Sequence, residues 1–278
     1  MFQNLTDRAK AVIFYALALS LGLATLLLAP VFGALITILY MFTPLLAVLL
    51  MLLVVTRDGY TKAGWAALGL RHAGFRAWGL ALLLPCLTLG FGYSVVWLTG
   101  VASLATPAGG LVSLPIEMAF AFVIALPLAF GEELGWRGYL QPRLDAAGVR
   151  LSVVVVWFVQ FAYHLPLIVG ADYLGGDNLL ATAVLFAAGD LSFTFLAACL
   201  AYRAQSLWPA VFFHSFHNTI SQWLFPKFFV GGDADLLLGE TGLLPALGYV
   251  VVGVAVLLAL RRDGPPWAAL ARSARPIM

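Results

Sequence analysis

The sequence predicts an all-α, polytopic integral membrane protein of about eight transmembrane helices, with both termini cytoplasmic. Three observations carry this expectation. First, 63% of the 278 residues are hydrophobic and only 10% are charged, and the mean hydropathy is +0.99. A soluble domain carries about 25% charged residues, so this chain has too little polar surface to coat a water-soluble globule. Second, apolar stretches of spanning length recur along the chain. Third, the basic residues segregate to one side when eight spans are drawn.

Stretches of about 20 apolar residues cross a hydrocarbon core of about 30 Å as helices. They fall at about 11–30, 31–55, 79–100, 113–134, 151–170, 180–202, 208–224 and 242–260. Pro30 separates the first two. The first follows Arg8 and Lys10 but is too long for a signal peptide and lacks a small-residue cleavage site, so it reads as a retained helix. The seventh is short and unusually polar. Of fifteen basic residues, fourteen then fall on one side and only Lys227 opposite, in a loop that also holds Asp233, Asp235 and Glu240. The positive-inside rule places that basic side in the cytoplasm, here of a plasma (inner) membrane.

The connections and ends are less apolar. Residues 60–78 and 141–150 mix apolar side chains with bases and read as interfacial segments on the inner leaflet. Residues 265–278 read as a flexible cytosolic tail, and residues 1–278 as one transmembrane domain with no internal repeat. Cys86 and Cys199 lie in apolar runs and read as small core residues. No Cys/His zinc spacing occurs, and a net charge of +2 argues against a nucleic-acid partner. Twelve arginines to three lysines suit a high-GC bacterial genome.

Ionisable side chains within a span cost about 2.5–3.5 kcal/mol each on insertion scales and mark functional sites by default. Here they cluster. In Gly131-Glu132-Glu133-Leu134-Gly135-Trp136-Arg137-Gly138, Glu133 and Arg137 stand at i and i+4 and can pair. Glu132 faces elsewhere and is the freer carboxylate. The bland alternative is a charge patch where the helix leaves the membrane. In the fifth span Gln160 and His164 share a face; the alternative there is a hydrogen-bonded packing histidine. In the seventh, His214 and Asn218 share a face with His217 near it; the alternative is interhelical hydrogen bonding. Asp190 lies mid-span in the sixth, as a buried acid or a site wall. Glu117 reads as interfacial near the outer surface and His72 as solvated.

A carboxylate and an imidazole brought together across two helices can hold and deprotonate a water, while a His and an Asn on a third donate to the oxyanion. Those are the parts for peptide hydrolysis without a covalent intermediate. The same residues could instead hold a divalent metal such as zinc through His164, His214 and a carboxylate. No HExxH, no rhomboid-type Gly-x-Ser-Gly and no full GxGD motif is present.

Glu132-Glu133-x-x-x-Arg137-Gly138, then His164, then His214-x-x-x-Asn218, in order and in separate spans, resembles the CPBP family of intramembrane proteases. This is the family of type II CAAX prenyl endopeptidases and bacterial bacteriocin-processing and immunity proteins. The resemblance covers about residues 110–225. It implies that Glu132 activates water with His164, that His214 and Asn218 form the oxyanion site, and that Glu133 and Arg137 support them. The family's second motif usually has an aromatic four residues before its histidine; here that residue is Gln160. The family has been described both as glutamate-type, needing no cofactor, and as metal-dependent. The implied substrate is a membrane-anchored peptide or protein, lipidated or transmembrane. The alternatives are a non-catalytic immunity or scaffold protein of the same fold and, more remotely, a proton-coupled transporter. One mismatch stands out. Glu132 is about 7–8 Å along its helix from Arg137, whereas His164 is about 21 Å from Arg150. If all meet at one level, the fifth span starts below the membrane surface or tilts, or a cavity opens to the cytoplasm.

Overall fold

The computed structural model describes residues 5–33, 35–100, 103–107, 109–170, 178–230, 237–240 and 242–262. The tail at 265–278, with Arg272 and Arg275, and the loop acids Asp233 and Asp235 lie outside the described residues. The described chain is a helical bundle. Helix α1 (Asp7–Leu26) starts at Thr6, whose hydroxyl accepts from the Ala9 amide, and it buries Phe14, Ala18 and Gly22. The second expected span is segmented into α2 (Ala29–Phe32), α3 (Leu35–Met41) and α4 (Thr43–Leu50). Pro30 and Pro44 sit in the first turns of α2 and α4, where a missing N–H costs nothing. A π-helical turn (Met51–Val55) extends α4.

Among the described residues, seven helices are long and apolar enough to cross a membrane: Asp7–Leu26, Leu35–Val55, Phe75–Thr99, Gly110–Ala146, Ser152–Gly170, Leu179–Ala204 and Leu243–Leu260. The seventh expected span, 208–224, is helical throughout, as α11 (Trp208–Asn218) and a π-helical turn (Thr219–Leu224). It falls outside the seven because it is short and its two histidines, amides and hydroxyls dilute the hydropathy.

Residues 60–78 are mostly irregular. Only α5 (Lys62–Ala66), capped by Thr61, and short turns occur there. The segment is pinned to the chain around 203–207: Leu207 N donates to Gly69 O at 2.9 Å, Ser206 to His72 O at 2.5 Å and Arg76 to Arg203 O at 2.6 Å. Leu68 is buried there and His72 exposed. Helix α6 (Trp78–Thr99) carries an internal Pro85 and ends at Gly100 in the left-handed region. Cys86, on its outer face, is exposed rather than a core residue, and both cysteines are free thiols.

The largest departure concerns the fourth span. Helix α7 (Gly110–Glu133) does not stop at 134. It passes through a π-helical turn (Leu134–Leu140) into α8 (Gln141–Ala146), giving 37 continuous residues. All seven residues of the π turn are buried. Residues 141–150 are therefore not a separate interfacial helix: Gln141, Arg143 and Leu144 are buried at the end of this long one. Charges that end a hydropathy window here mark a buried polar site, not a membrane exit.

That continuation removes the depth mismatch. Glu132 is 14 residues before Ala146, about 21 Å along the helix. In α9 (Ser152–Gly170), His164 is 12 residues after Ser152, about 18 Å. Helix α10 (Leu179–Ala204) places Asp190 the same 14 residues before its end. Counted along the helices from these ends, the three side chains stand at similar distances.

The last long helix, α12 (Leu243–Arg262), packs on α6 and α10, and α11 packs on α7 and α6. Near the ends of α6 and α11, Ser103–Leu104 (β1) pairs antiparallel with Phe229–Val230 (β2), and Lys227 bonds Glu117. One apolar cluster contains Phe14, Trp136, Tyr139 and Tyr163; the other contains Tyr93, Phe193, Phe213 and Tyr249. The polar residues contact both.

Candidate active site

The π turn after Glu133 fits its surroundings because two glycines let helices meet. A Cβ on Gly135 would stand 2.6 Å from Pro44 Cβ, and one on Gly131 would stand 3.0 Å from Met41 O. This approach seats Trp136 beneath the carboxylates, where its indole N–H points at Glu132 Oε2 at 3.4 Å. Tyr163, beside His164, is locked to α3: Tyr40 donates to Tyr163 O at 2.5 Å, and Tyr163 donates to Tyr40 O at 2.7 Å. The backbone carrying His164 is therefore fixed against the segment that packs on α7.

Glu132 and Glu133 have different partners. Glu133 Oε1 accepts from Arg137 at 3.0 Å and from His214 Nδ1 at 2.9 Å. Arg137 also donates to Gln160 Oε1 at 2.9 Å, which turns the Gln160 amide so that Nε2 donates to Asp190 Oδ1 at 3.2 Å. The result is a network from α11 through α7 and α9 to α10. A buried Arg–Glu pair is stabilised when further hydrogen bonds satisfy it; His214 and Gln160 supply one each, while Glu133 Oε2 and Arg137 Nε and Nη2 are buried without a partner.

Glu132 instead faces His164, with 3.6 Å between Oε2 and Nε2. His164 Nδ1 lies 2.8 Å from the carbonyl of Gln160. A carbonyl only accepts, so Nδ1 carries the hydrogen and a neutral ring turns its Nε2 lone pair to the carboxylate. Two acceptors face each other across that gap, an arrangement that a water donating to both completes.

Glu132, Gln160, His164, Asp190, His214 and His217 all line one cavity of about 490 Å³, its mouth included, with Phe186, Gly189, Phe193, Glu240 and Tyr249. Of the sequence-chosen residues, Glu133 and Arg137 lie behind this wall. Asn218 is buried with its Oδ1 unpartnered, and it does not line the cavity as described. His217 Nδ1 bonds the Tyr249 hydroxyl at 2.6 Å, and its Nε2 is 3.8 Å from Glu240 Oε1. Among the described residues no three His, Cys, Asp or Glu side chains are placed to hold a metal ion.

Sequence reasoning missed Glu240 and Tyr249. Glu240 was read as one acid among several in an outer loop, and Tyr249 as part of an apolar run. Their signal was weak: a tyrosine within a span usually finds a polar partner, and here that partner is His217.

A polytopic helical membrane protein with an acid–base cavity at mid-depth is the class these features define. Residues 114–220 match the family described as Type II CAAX prenyl endopeptidase Rce1-like. The matched residues include every cavity-lining side chain named above except Glu240 and Tyr249. No curated protein matches the chain.

Proposed function

We propose that the protein is an intramembrane endopeptidase that hydrolyses a peptide bond in a lipidated or transmembrane substrate. The observation that carries this reading is the Glu132–His164 pair, 3.6 Å apart on a shared cavity, with His164 Nδ1 already committed to a carbonyl. Glu132 takes a proton from the water that both groups hold, and the hydroxide equivalent attacks the scissile carbonyl. His214 supplies the oxyanion contact. Its Nδ1–H is held by Glu133, so donation to the oxyanion comes from Nε2 of the ring in its imidazolium form, whose charge the Glu133 carboxylate balances. Asn218, one turn further along α11, joins it when substrate widens the site. Glu133, Arg137 and Gln160 orient these groups rather than react.

The site needs water and a membrane-tethered chain, and the basic side of the bundle suits a cytoplasmic opening in a plasma membrane. The reaction as written uses no cofactor. The test is cleavage of a library of prenylated and transmembrane peptides by purified protein in detergent, with Glu132→Gln and chelator arms beside wild type. Cleavage lost in Glu132→Gln and kept in chelator is the expected result. Full activity in Glu132→Gln overturns the reading, and loss in chelator replaces it with a metal-dependent one.

A further inference from the structure

The cavity holds a second imidazole–carboxylate pair that the water-activating scheme leaves idle. His217 Nε2 faces Glu240 Oε1 at 3.8 Å, and the other Glu240 oxygen accepts from Gln222 Nε2 at 2.8 Å. His217 Nδ1 is held by Tyr249 at 2.6 Å. Phe193 packs edge-on against both His214 and His217, with ring centroids 5.0 and 5.2 Å away. His214 and His217 therefore flank one aromatic ring, three residues apart on one helix face, where side chains are neighbours. Side chains at this spacing stand about 5–6 Å apart at Cβ, near enough for one to face a peptide's oxygen and the other its nitrogen.

We propose that His217, paired with Glu240, is the catalytic residue that protonates the leaving nitrogen. This rests on the hydrolase reading above. As the tetrahedral intermediate collapses, the C–N bond breaks and its electron pair stays on nitrogen. That nitrogen takes the Nε2 proton of the His217 imidazolium, leaving a neutral ring. The proton that Glu132 took from water leaves to solvent, and solvent recharges His217, so one water and one amide become an acid and an amine. Glu240 is suited to hold the charged ring. Burial pushes its carboxyl up, but His217 and Gln222 outweigh that and keep it below its ordinary value of 4.5. Glu240 and Tyr249 face His217 directly; Asp190 on α10, Glu132 on α7 and His214 on its own helix line the same cavity.

The test uses the purified full chain and one prenylated peptide made with either an ordinary amide or an activated aryl ester at the scissile position. An aryl oxide leaves without a proton; an amine does not. His217→Gln is expected to lose amide cleavage by about 10²-fold or more while ester cleavage stays near wild type. Equal losses on both substrates, or an unchanged amide rate, overturn the proposal. Histidine ¹⁵N NMR supplies an arm without turnover: His217 is expected to carry a hydrogen on Nε2, facing Glu240, and Glu240→Gln to remove it. A bare Nε2 in wild type overturns the proposal even if no peptide is cut. A wild type that cuts neither substrate counts against the hydrolase reading alone.

Discussion

Arg137 joins Glu133 and Gln160 through a single nitrogen, NH1, at 3.0 and 2.9 Å, tying the end of α7 to the middle of α9. The pair is buried on both sides. Removing one partner leaves the other as an uncompensated buried charge, which costs about 3–5 kcal/mol. Arg137→Ala and Glu133→Ala are each expected to lower the thermal unfolding midpoint sharply in detergent. The double substitution is expected to recover part of that loss, and the double-mutant cycle reads the coupling directly.

His164 is expected to separate chemistry from folding. His164→Gln keeps a side-chain donor near Glu132 but cannot share a water proton as imidazole does. Cleavage of the prenylated peptide is expected to fall about 10²–10⁴-fold with the unfolding midpoint little changed. Steady-state kinetics beside a melting curve checks both halves.

Gly135 tests the helix contact that seats Trp136. Its added Cβ would meet Pro44 at 2.6 Å, whereas one on Gly79 meets nothing within 4 Å. Gly135→Ala is expected to destabilise by about 1–3 kcal/mol through overpacking. Gly79→Ala, in an early turn of α6, is expected to be neutral or slightly stabilising. Chemical denaturation of the two variants side by side reads the difference.

Glu240 gives stability a pH signature. Its carboxyl is held below its ordinary 4.5 by His217 and Gln222 against the opposing effect of burial. A depressed folded value means the unfolded chain binds the proton more readily, so the contribution is fully present above the ordinary value. It is lost as pH falls through the folded value. Wild type is expected to exceed Glu240→Gln in unfolding midpoint at neutral pH, with the gap closing in acid. Melting curves of both proteins across that range test the sign.

The residues that make the site were legible where they cluster along the chain: Glu132 with Glu133 and Arg137, and His214 with His217. Membrane insertion penalises each of them, so their presence was already a signal. Depth was not legible. A hydropathy window stops at Glu132 because it scores side chains singly, whereas the fold pairs them and lets the helix continue to Ala146. The same blindness left 208–224 as a marginal span. Glu240 and Tyr249 were invisible for another reason: they meet His217 only after α12 folds back onto α10, and nothing local in the chain announces that contact.

The long helix through the π turn also sets a minimum reach. From Ala146 to Glu132 is about 21 Å, and an extended strand advances about 3.3–3.6 Å per residue. A chain fed in from that end must contribute about six unpaired residues before any bond meets the carboxylate. On the hydrolase reading proposed above, a tethered tail shorter than this is expected to stay uncut, and a helical one to need unwinding by nearly two turns.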